Sequence, residues 1–269
     1  MTRCDNTVIV ERRDRVLWLT IDRPERRNAL NGLVFDELAQ ALAEAETDRR
    51  CHAAVLTGAG DRAFSAGADL KPDTQYTALE LDAEALEHPY VGFARSVRRF
   101  SKPLVARVNG DALAGGLGLL SLCDMAVAAD HARFGLPEVR IGLFPLLIVA
   151  SLRRLVPRRV LMEMAITGEF FDAEAAREMG LVNYVVPDVD LDAKTEWLMA
   201  RILDKSPVAV RRGKVAMSRM WEMTEDDSLS HAQSELAHLF LTADHEEGLA
   251  AFNEKRAPVW PGSRPDEAS

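Results

Sequence analysis

The sequence predicts an α/β domain assembled from strand, strand, helix units, followed by a mainly helical C-terminal region. Three observations carry this: short apolar runs that end on glycine, amphipathic stretches at helical spacing among them, and helical periodicity over nearly everything from residue 192 to 252.

The order of elements follows from these signals. VIVERR from Val8 and VLWLTID from Val16 read as two strands separated by a short polar turn around Asp14. From Asn31 a helix is expected, because Leu33, Val34, Leu38, Ala41, Leu42 and Ala45 recur at helical spacing. AAVLTG from Ala53 is a continuously apolar strand, and two more are expected from Pro103 to Gly110 and from Asp124. A long helical stretch is expected between the first two of these, from about Thr77 to Phe100. Past Pro157, VLMEMAIT and DAEAAREMG read as helices, with Gly180 as a stop, and LVNYVV reads as a short strand. A division into a core over residues 1–194 and a helical region over 195–269 follows, with a frayed tail from Ala257.

Composition narrows the function classes. With 269 residues, 48% hydrophobic and 28% charged, the chain has an ordinary globular composition and enough apolar residues for a sizeable core. The net charge of -9 argues against nucleic acid as a partner, since phosphate binding calls for a basic surface. Local basic runs, such as Arg23 to Arg27 and Arg153 to Arg159, read by default as solvated faces. The three cysteines are unclustered and suggest neither a disulfide framework nor a metal site, and the six histidines lack ligand spacing. No metal is therefore expected. The N-terminal segment is too charged for a secretory signal, and no uncharged run reaches the ~18 residues of a membrane span. A cytoplasmic enzyme with no membrane partner is the expectation.

Three segments could carry chemistry. GAGDRAFSAGADLK, from Gly58 to Lys71, follows a strand and contains a G-x-G-x-x-A pattern, which suggests a dinucleotide loop. A second small-residue turn follows, however, where that fingerprint requires a helix. G-x-S-x-G fails as well, because Ala63 stands two before Ser65. What remains is a close-approach turn at Gly67, with the amides of Ala68 and Asp69 expected to point outward as unpaired donors of a helix start. NGDALAGGLGLLSLCD, from Asn109 to Asp124, again runs a strand into glycines and then a helix. Tight helix-strand packing explains one such corner. Two of them allow two backbone amides to converge on a single oxygen, as an oxyanion hole requires. In FGLPEVRIGLFP, Glu138 sits among Val139, Ile141, Leu143 and Phe144, where desolvation would raise its pKa toward the range of a general acid-base.

These three segments, with LTIDRPERRNALN before them and MAITGEFFDAEAAREMGLVNYVV after, resemble the crotonase superfamily (the enoyl-CoA hydratase/isomerase family) over residues 8 to 260. The resemblance implies a crotonase-like spiral of repeated ββα units with a helical C-terminal trimerisation region, assembled as a homotrimer or hexamer. It implies an acyl-CoA substrate and no separate cofactor, coenzyme A being part of the substrate. The thioester oxygen would be held by the amides of Ala68 and Gly115, with Glu138 as the acid-base. Arg27 would lie near the coenzyme A phosphates, and Ala66, Asp69, Leu70, Lys71 and Leu146 would line the substrate.

The sequence also departs from the pattern. Family members with two catalytic glutamates carry one at the end of G-G-x-E, where this chain has Gly118, and the glycine-rich turn after the other glutamate is replaced by Leu146, Leu147 and Ile148. Family hydrolases with glycine at that corner carry an acid after the F-P step, where this chain has Leu146. An enoyl-CoA hydratase-like lyase for a branched or bulky 2-enoyl-CoA is the leading expectation. A single-glutamate Δ3-Δ2-enoyl-CoA isomerase, another enolate reaction and a silent acyl-CoA-binding protein are the alternatives.

Overall fold

The computed structural model describes residues 7–70 and 87–263. Strands β1 (Val8–Arg13) and β2 (Val16–Ile21) pair antiparallel across a turn where Asp14 is left-handed, with φ 52. Aspartate tolerates that conformation better than most side chains. Helix α1 (Gly32–Thr47) follows, started by Asn31, whose side chain accepts a hydrogen bond from the Val34 amide. Next come β3 (Ala53–Gly58), β4 (Ala63–Ser65) and α2 (Pro89–Arg99), then β5 (Leu104–Val108), β6 (Asp111–Leu113) and α3 (Gly115–Leu122), then β7 (Met125–Ala129), β8 (Phe134–Gly135) and α4 (Leu146–Leu152). The chain closes with α5 (Arg158–Thr167), β9 (Phe170–Phe171), α6 (Ala173–Glu178), β10 (Tyr184–Val186), α7 (Leu191–Leu203), α8 (Pro207–Met220), α9 (Glu225–Phe240) and α10 (Ala243–Glu254).

Two sheets result, one in the order β1-β2-β3-β5-β7-β10 and a smaller one in the order β4-β6-β8-β9. Each of β3, β5 and β7 crosses from the large sheet into a short strand of the small one and then into a helix. That is the repeated ββα unit of a spiral. The strands anticipated from Val8, Val16, Ala53, Pro103 and Asp124 all lie in the large sheet. The helical stretch anticipated from Thr77 lies partly outside the described residues, and its described part begins at Pro89.

The parallel strands are buried on both faces, which explains their unbroken apolar runs. One face packs Leu19, Leu56 and Ala106 against Val34, Phe35, Leu38 and Leu42 of α1. The other packs Trp18, Val55, Val105 and Val127 against Leu191, Leu198 and Met199 of α7. Helix α7 thus spans residue 195 and belongs to the layers of the core.

The corner between β3 and β4 is held by two buried asparagines. Asn28 donates to the carbonyls of Ala59 and Ala63 at 3.0 and 2.7 Å, and Asn109 donates to Gly60 O at 2.7 Å while accepting the Gly58 amide at 3.1 Å. Such bonds satisfy the backbone of a buried turn that has no ladder partner.

Helix α3 rests directly on β4. A Cβ placed on Gly116 would stand 2.2 Å from the Ser65 carbonyl oxygen, so nothing larger than glycine fits without moving the helix. Gly116→Ala is therefore expected to destabilise the protein by about 1–3 kcal/mol, the usual range for overpacking. Urea unfolding of the variant beside the parent protein measures this, and an unchanged midpoint would contradict the packing.

Candidate active site

The site grows out of the small sheet. Strands β4, β6 and β8 run parallel and adjacent, with Ser65 beside Ala112 and Leu113 beside Gly135. Ala68, Gly115 and Glu138 each follow one of these strands by two or three residues. Three corners distant in sequence are thereby brought to the carboxyl ends of neighbouring strands, where α/β proteins place ligands.

The first corner is fixed by α1's approach segment. Leu30 N donates to Gly67 O and Asp69 N donates to Leu30 O, both at 2.8 Å, so Ala68 and Leu30 form a parallel bridge. In this pattern the bonded groups belong to the residues flanking Ala68, so its own N–H points away from Leu30. Among the described residues that N–H has no backbone acceptor. The Ala68 nitrogen lies beside the second corner: a Cβ on Gly115 would stand 3.7 Å from it. The expectation for Asp69 is corrected here. Its amide is spent on Leu30, and the segment is a bridged strand end where a helix start was anticipated. Its side chain is buried and accepts Arg23 Nη2 at 2.7 Å and Arg26 Nη1 at 3.1 Å, so it holds the loop and does not face a ligand.

The second corner is a strained turn. Ala114, with φ 49 and ψ -124, occupies a region costly for a side-chain-bearing residue, and α3 begins immediately after it. The Ala114 amide is bound to Gly135 O at 2.9 Å. Gly115 opens the helix with no side-chain cap, so its N–H is one of the orphan donors at a helix N-terminus, where the peptide dipoles favour negative charge. Gly67, at φ +92, packs against this turn, and a Cβ there would stand 2.6 Å from Ala114 Cβ and 3.1 Å from Gly115 N.

The third corner carries Glu138 in a 3-10 turn, Pro137–Ile141, that ends on left-handed Gly142. The Glu138 carbonyl accepts the Leu143 amide at 3.1 Å, which tightens the turn. Its Oε2 is buried and has no hydrogen-bond partner among the described residues. Burial pushes the carboxyl above its ordinary range, partly offset by a bond from its own backbone amide. A half-buried acid with a raised pKa and a free oxygen is suited to exchanging protons with a ligand.

The remaining anticipated residues fall as follows. Arg27 is exposed, left-handed at φ 53, and its guanidinium has no ion pair among the described residues. Its carbonyl accepts the Ala66 amide at 3.0 Å, which places Arg27 and Ala66 at the rim of the Ala68 corner. Leu70 is exposed. Lys71 lies outside the described residues. Leu146 is 70% exposed, and of the three apolar residues replacing the glycine turn it is Ile148 that points inward. A Cβ on Gly118 would meet Ile148 Cδ1 at 2.6 Å and Tyr90 Cε2 at 3.0 Å. The space beside Gly118 is therefore filled by an isoleucine and a tyrosine. Two surface clefts, around Arg98 and Glu222 and around Arg12 and Glu44, include none of the three corner residues. Sequence reasoning missed Tyr90, Asn28, Asn109 and Arg23. The N-A-L-N and V-N-G segments were available signals for the asparagines, since asparagine beside such turns commonly bonds backbone.

Comparison with known proteins agrees with this geometry. The family model described as enoyl-CoA hydratase/isomerase matches residues 11–263. A probable enoyl-CoA hydratase of Mycobacterium bovis is 36% identical over 253 residues, covering 94% of this chain and 96% of the relative. The 2,3-dehydroadipyl-CoA hydratase of Escherichia coli is 37% identical over 257 residues, covering 95% and 98%. The crystal structure of an enoyl-CoA hydratase from Bacillus anthracis superposes with a TM-score of 0.87 at 31% identity, covering 95% of this chain and 99% of that one. One from Mycobacterium smegmatis gives 0.86 at 34% identity, covering 94% and 98%. With a family match over nearly its whole length, the chain belongs to the enoyl-CoA hydratase/isomerase family, as a hydratase-like enzyme of the crotonase superfamily.

Proposed function

We propose that this protein hydrates a branched or bulky 2-enoyl-CoA, with Glu138 as the proton-handling group. The observation that carries the reading is the buried Oε2 of Glu138, unpartnered among the described residues, in the turn that follows the strand beside β6. The thioester oxygen would accept the amides of Ala68 and Gly115. Water would then add at the β-carbon while Glu138 takes its proton, and the π electrons would move into an enolate whose oxygen those amides stabilise. Return of a proton from Glu138 to the α-carbon would complete the addition. Two preorganised donors suit this chemistry because charge develops on the oxygen only during the reaction, and one such donor is typically worth ~3 kcal/mol.

The acyl preference rests on apolar surface. Ile141, Leu143, Phe144 and Leu147 are exposed immediately after Glu138, and Ile148 packs beside Gly118. A hydrocarbon group is the ligand such a rim favours. A second reading is also supported by an observation: Gly118 offers no carboxylate, and one, Glu138, suffices to carry a proton between two carbons in a Δ3-Δ2 isomerisation. Incubation with 2-enoyl- and 3-enoyl-CoA panels, following 3-hydroxyacyl product, separates the two.

Glu138→Gln is expected to lower turnover by about 10²- to 10⁴-fold. The raised pKa sets the pH dependence: Glu138 acts as base only when ionised, so kcat/KM should rise with pH through an acid limb above the ordinary carboxylate range, and the limb should vanish in the variant. Unchanged turnover in Glu138→Gln would remove the central residue from both readings.

Arg27→Ala tests the coenzyme rim. An exposed cation that contacts phosphate contributes equally before and during reaction, so KM should rise several-fold with kcat unchanged. An unaltered KM would place the phosphates elsewhere.

A homotrimer or hexamer is proposed for the assembly. Trp221, Leu229, Phe240, Leu241 and Phe252, on or beside α8 to α10, all expose large apolar area. Light scattering after gel filtration should give three or six copies, and a monomer would contradict the assignment.

A further inference from the structure

Tyr90 is a buried titratable group that the reaction scheme above leaves unused. It sits in the first turn of α2, its ring edge-on to Phe35 with centroids 6.1 Å apart. Its hydroxyl reaches across to α3 and would lie 3.1 Å from a Cβ on Gly118. Gly118 follows Gly115 by three residues, so the two share a face of α3 about 5 Å apart. The hydroxyl therefore stands one turn along the same face that begins with the proposed oxyanion donor.

Its hydroxyl belongs to a small hydrogen-bonded cluster. Tyr90 OH and Ser151 Oγ are 2.7 Å apart, and Ser151 Oγ donates to Ile148 O at 3.1 Å. Either hydroxyl can supply the proton between them. The alternative acceptor, Gly118 O, is 3.5 Å away and already takes Ser121 Oγ at 2.7 Å. A phenol oxygen can accept as well as donate, so Tyr90 can take a hydrogen bond beside Gly118 whichever way that proton lies. Burial pushes the phenol pKa up, against smaller opposing contributions from Ser151 and Ser121, so the group stays neutral. Helix α4 supplies both Ile148 and Ser151 and follows directly on the Glu138 turn, which ties the two groups to one segment.

We propose that Tyr90, oriented by Ser151, is a substrate-contacting residue whose phenol oxygen accepts a hydrogen bond from the O–H on the β-carbon. It holds the water that adds there and the hydroxyl that results. This deepens the hydratase reading and rests on it. In the addition the new bond joins water oxygen to the β-carbon, one water proton passes through Glu138 to the α-carbon, and the other remains on oxygen facing Tyr90. The tyrosine neither gains nor loses a proton.

Binding tests this without turnover. In a Glu138→Gln background, calorimetry with 3-hydroxybutyryl-CoA and with butyryl-CoA should show the hydroxyacyl ester binding more tightly. Adding Tyr90→Phe should weaken the hydroxyacyl ester about three- to ten-fold, the range of one net hydrogen bond, and leave butyryl-CoA unchanged. Ser151→Ala keeps the ring and should erase part of the preference, which keeps the test decisive even where the phenylalanine variant is poorly folded. Equal weakening of both esters, or a preference that survives both substitutions, would overturn the assignment. Failure of the protein to bind butyryl-CoA at all would overturn the hydratase reading, and this inference with it.

Discussion

The contact between Gly67 and the Ala114 turn is the constraint on which the site depends. Two loops that end strands β4 and β6 meet there with no room for another carbon, a Cβ on Gly67 falling 2.6 Å from that of Ala114. This close approach sets the Ala68 and Gly115 segments side by side, as the proposed pair of donors requires. The arrangement is costly, since Ala114 adopts a backbone conformation that L-residues avoid, typically at about 1–3 kcal/mol. The surrounding bonds over-determine it. Ala114 N is tied to Gly135 O, Gly67 O to Leu30 N, and the β3–β4 corner to Asn28 and Asn109.

Charge is distributed to serve the same end. Asp69, one residue beyond the proposed donor, is a conspicuous acid in the motif, yet it binds Arg23 in a buried pair. Such a pair contributes little net stability, because desolvation offsets the attraction, but it fixes geometry. Its consequence is that the carboxylate is neutralised a residue away from Ala68, where an uncompensated anion would oppose a developing oxyanion. Glu138, by contrast, keeps an oxygen without a partner. One acid is silenced by pairing and the other activated by burial, and their environments alone separate the roles.

The large sheet was legible in the sequence down to single residues at β1 and β3: β3 because a buried parallel strand must be continuously apolar, β1 because a polar turn at Asp14 separates it from the apolar run of β2. The small sheet was not. Its strands are two or three residues long, too short for any periodicity, and they are specified by contacts such as Gly116 against Ser65. Helix α4 escaped for a similar reason: its seven residues are nearly all apolar and show no polar face. The candidate site was readable as three corners, since glycines at strand ends mark close approach, and Glu138 stood out in an apolar segment. The direction of each amide was not readable. Asp69 was expected to offer a free N–H, and only its pairing with Leu30, nearly forty positions earlier in the chain, decides otherwise. Tyr90 gave no signal because an aromatic at a helix start has an ordinary packing explanation, and its hydroxyl acquires meaning only opposite Gly118.

Gly118 shows how loss of a side chain changes a site without leaving it open. Its missing side chain admits Ile148 and Tyr90 from two different helices, and the polar end of one of them reaches its backbone. The helix face that begins with the Gly115 donor therefore continues into a neutral hydroxyl with no second charge beside it. A neutral acceptor cannot serve as a base, which leaves the proton to Glu138. It also imposes no like-charge repulsion on Glu138, whose carboxyl is raised chiefly by desolvation. Chemistry at one corner is thus shaped by a glycine at another, through the residues that glycine lets in.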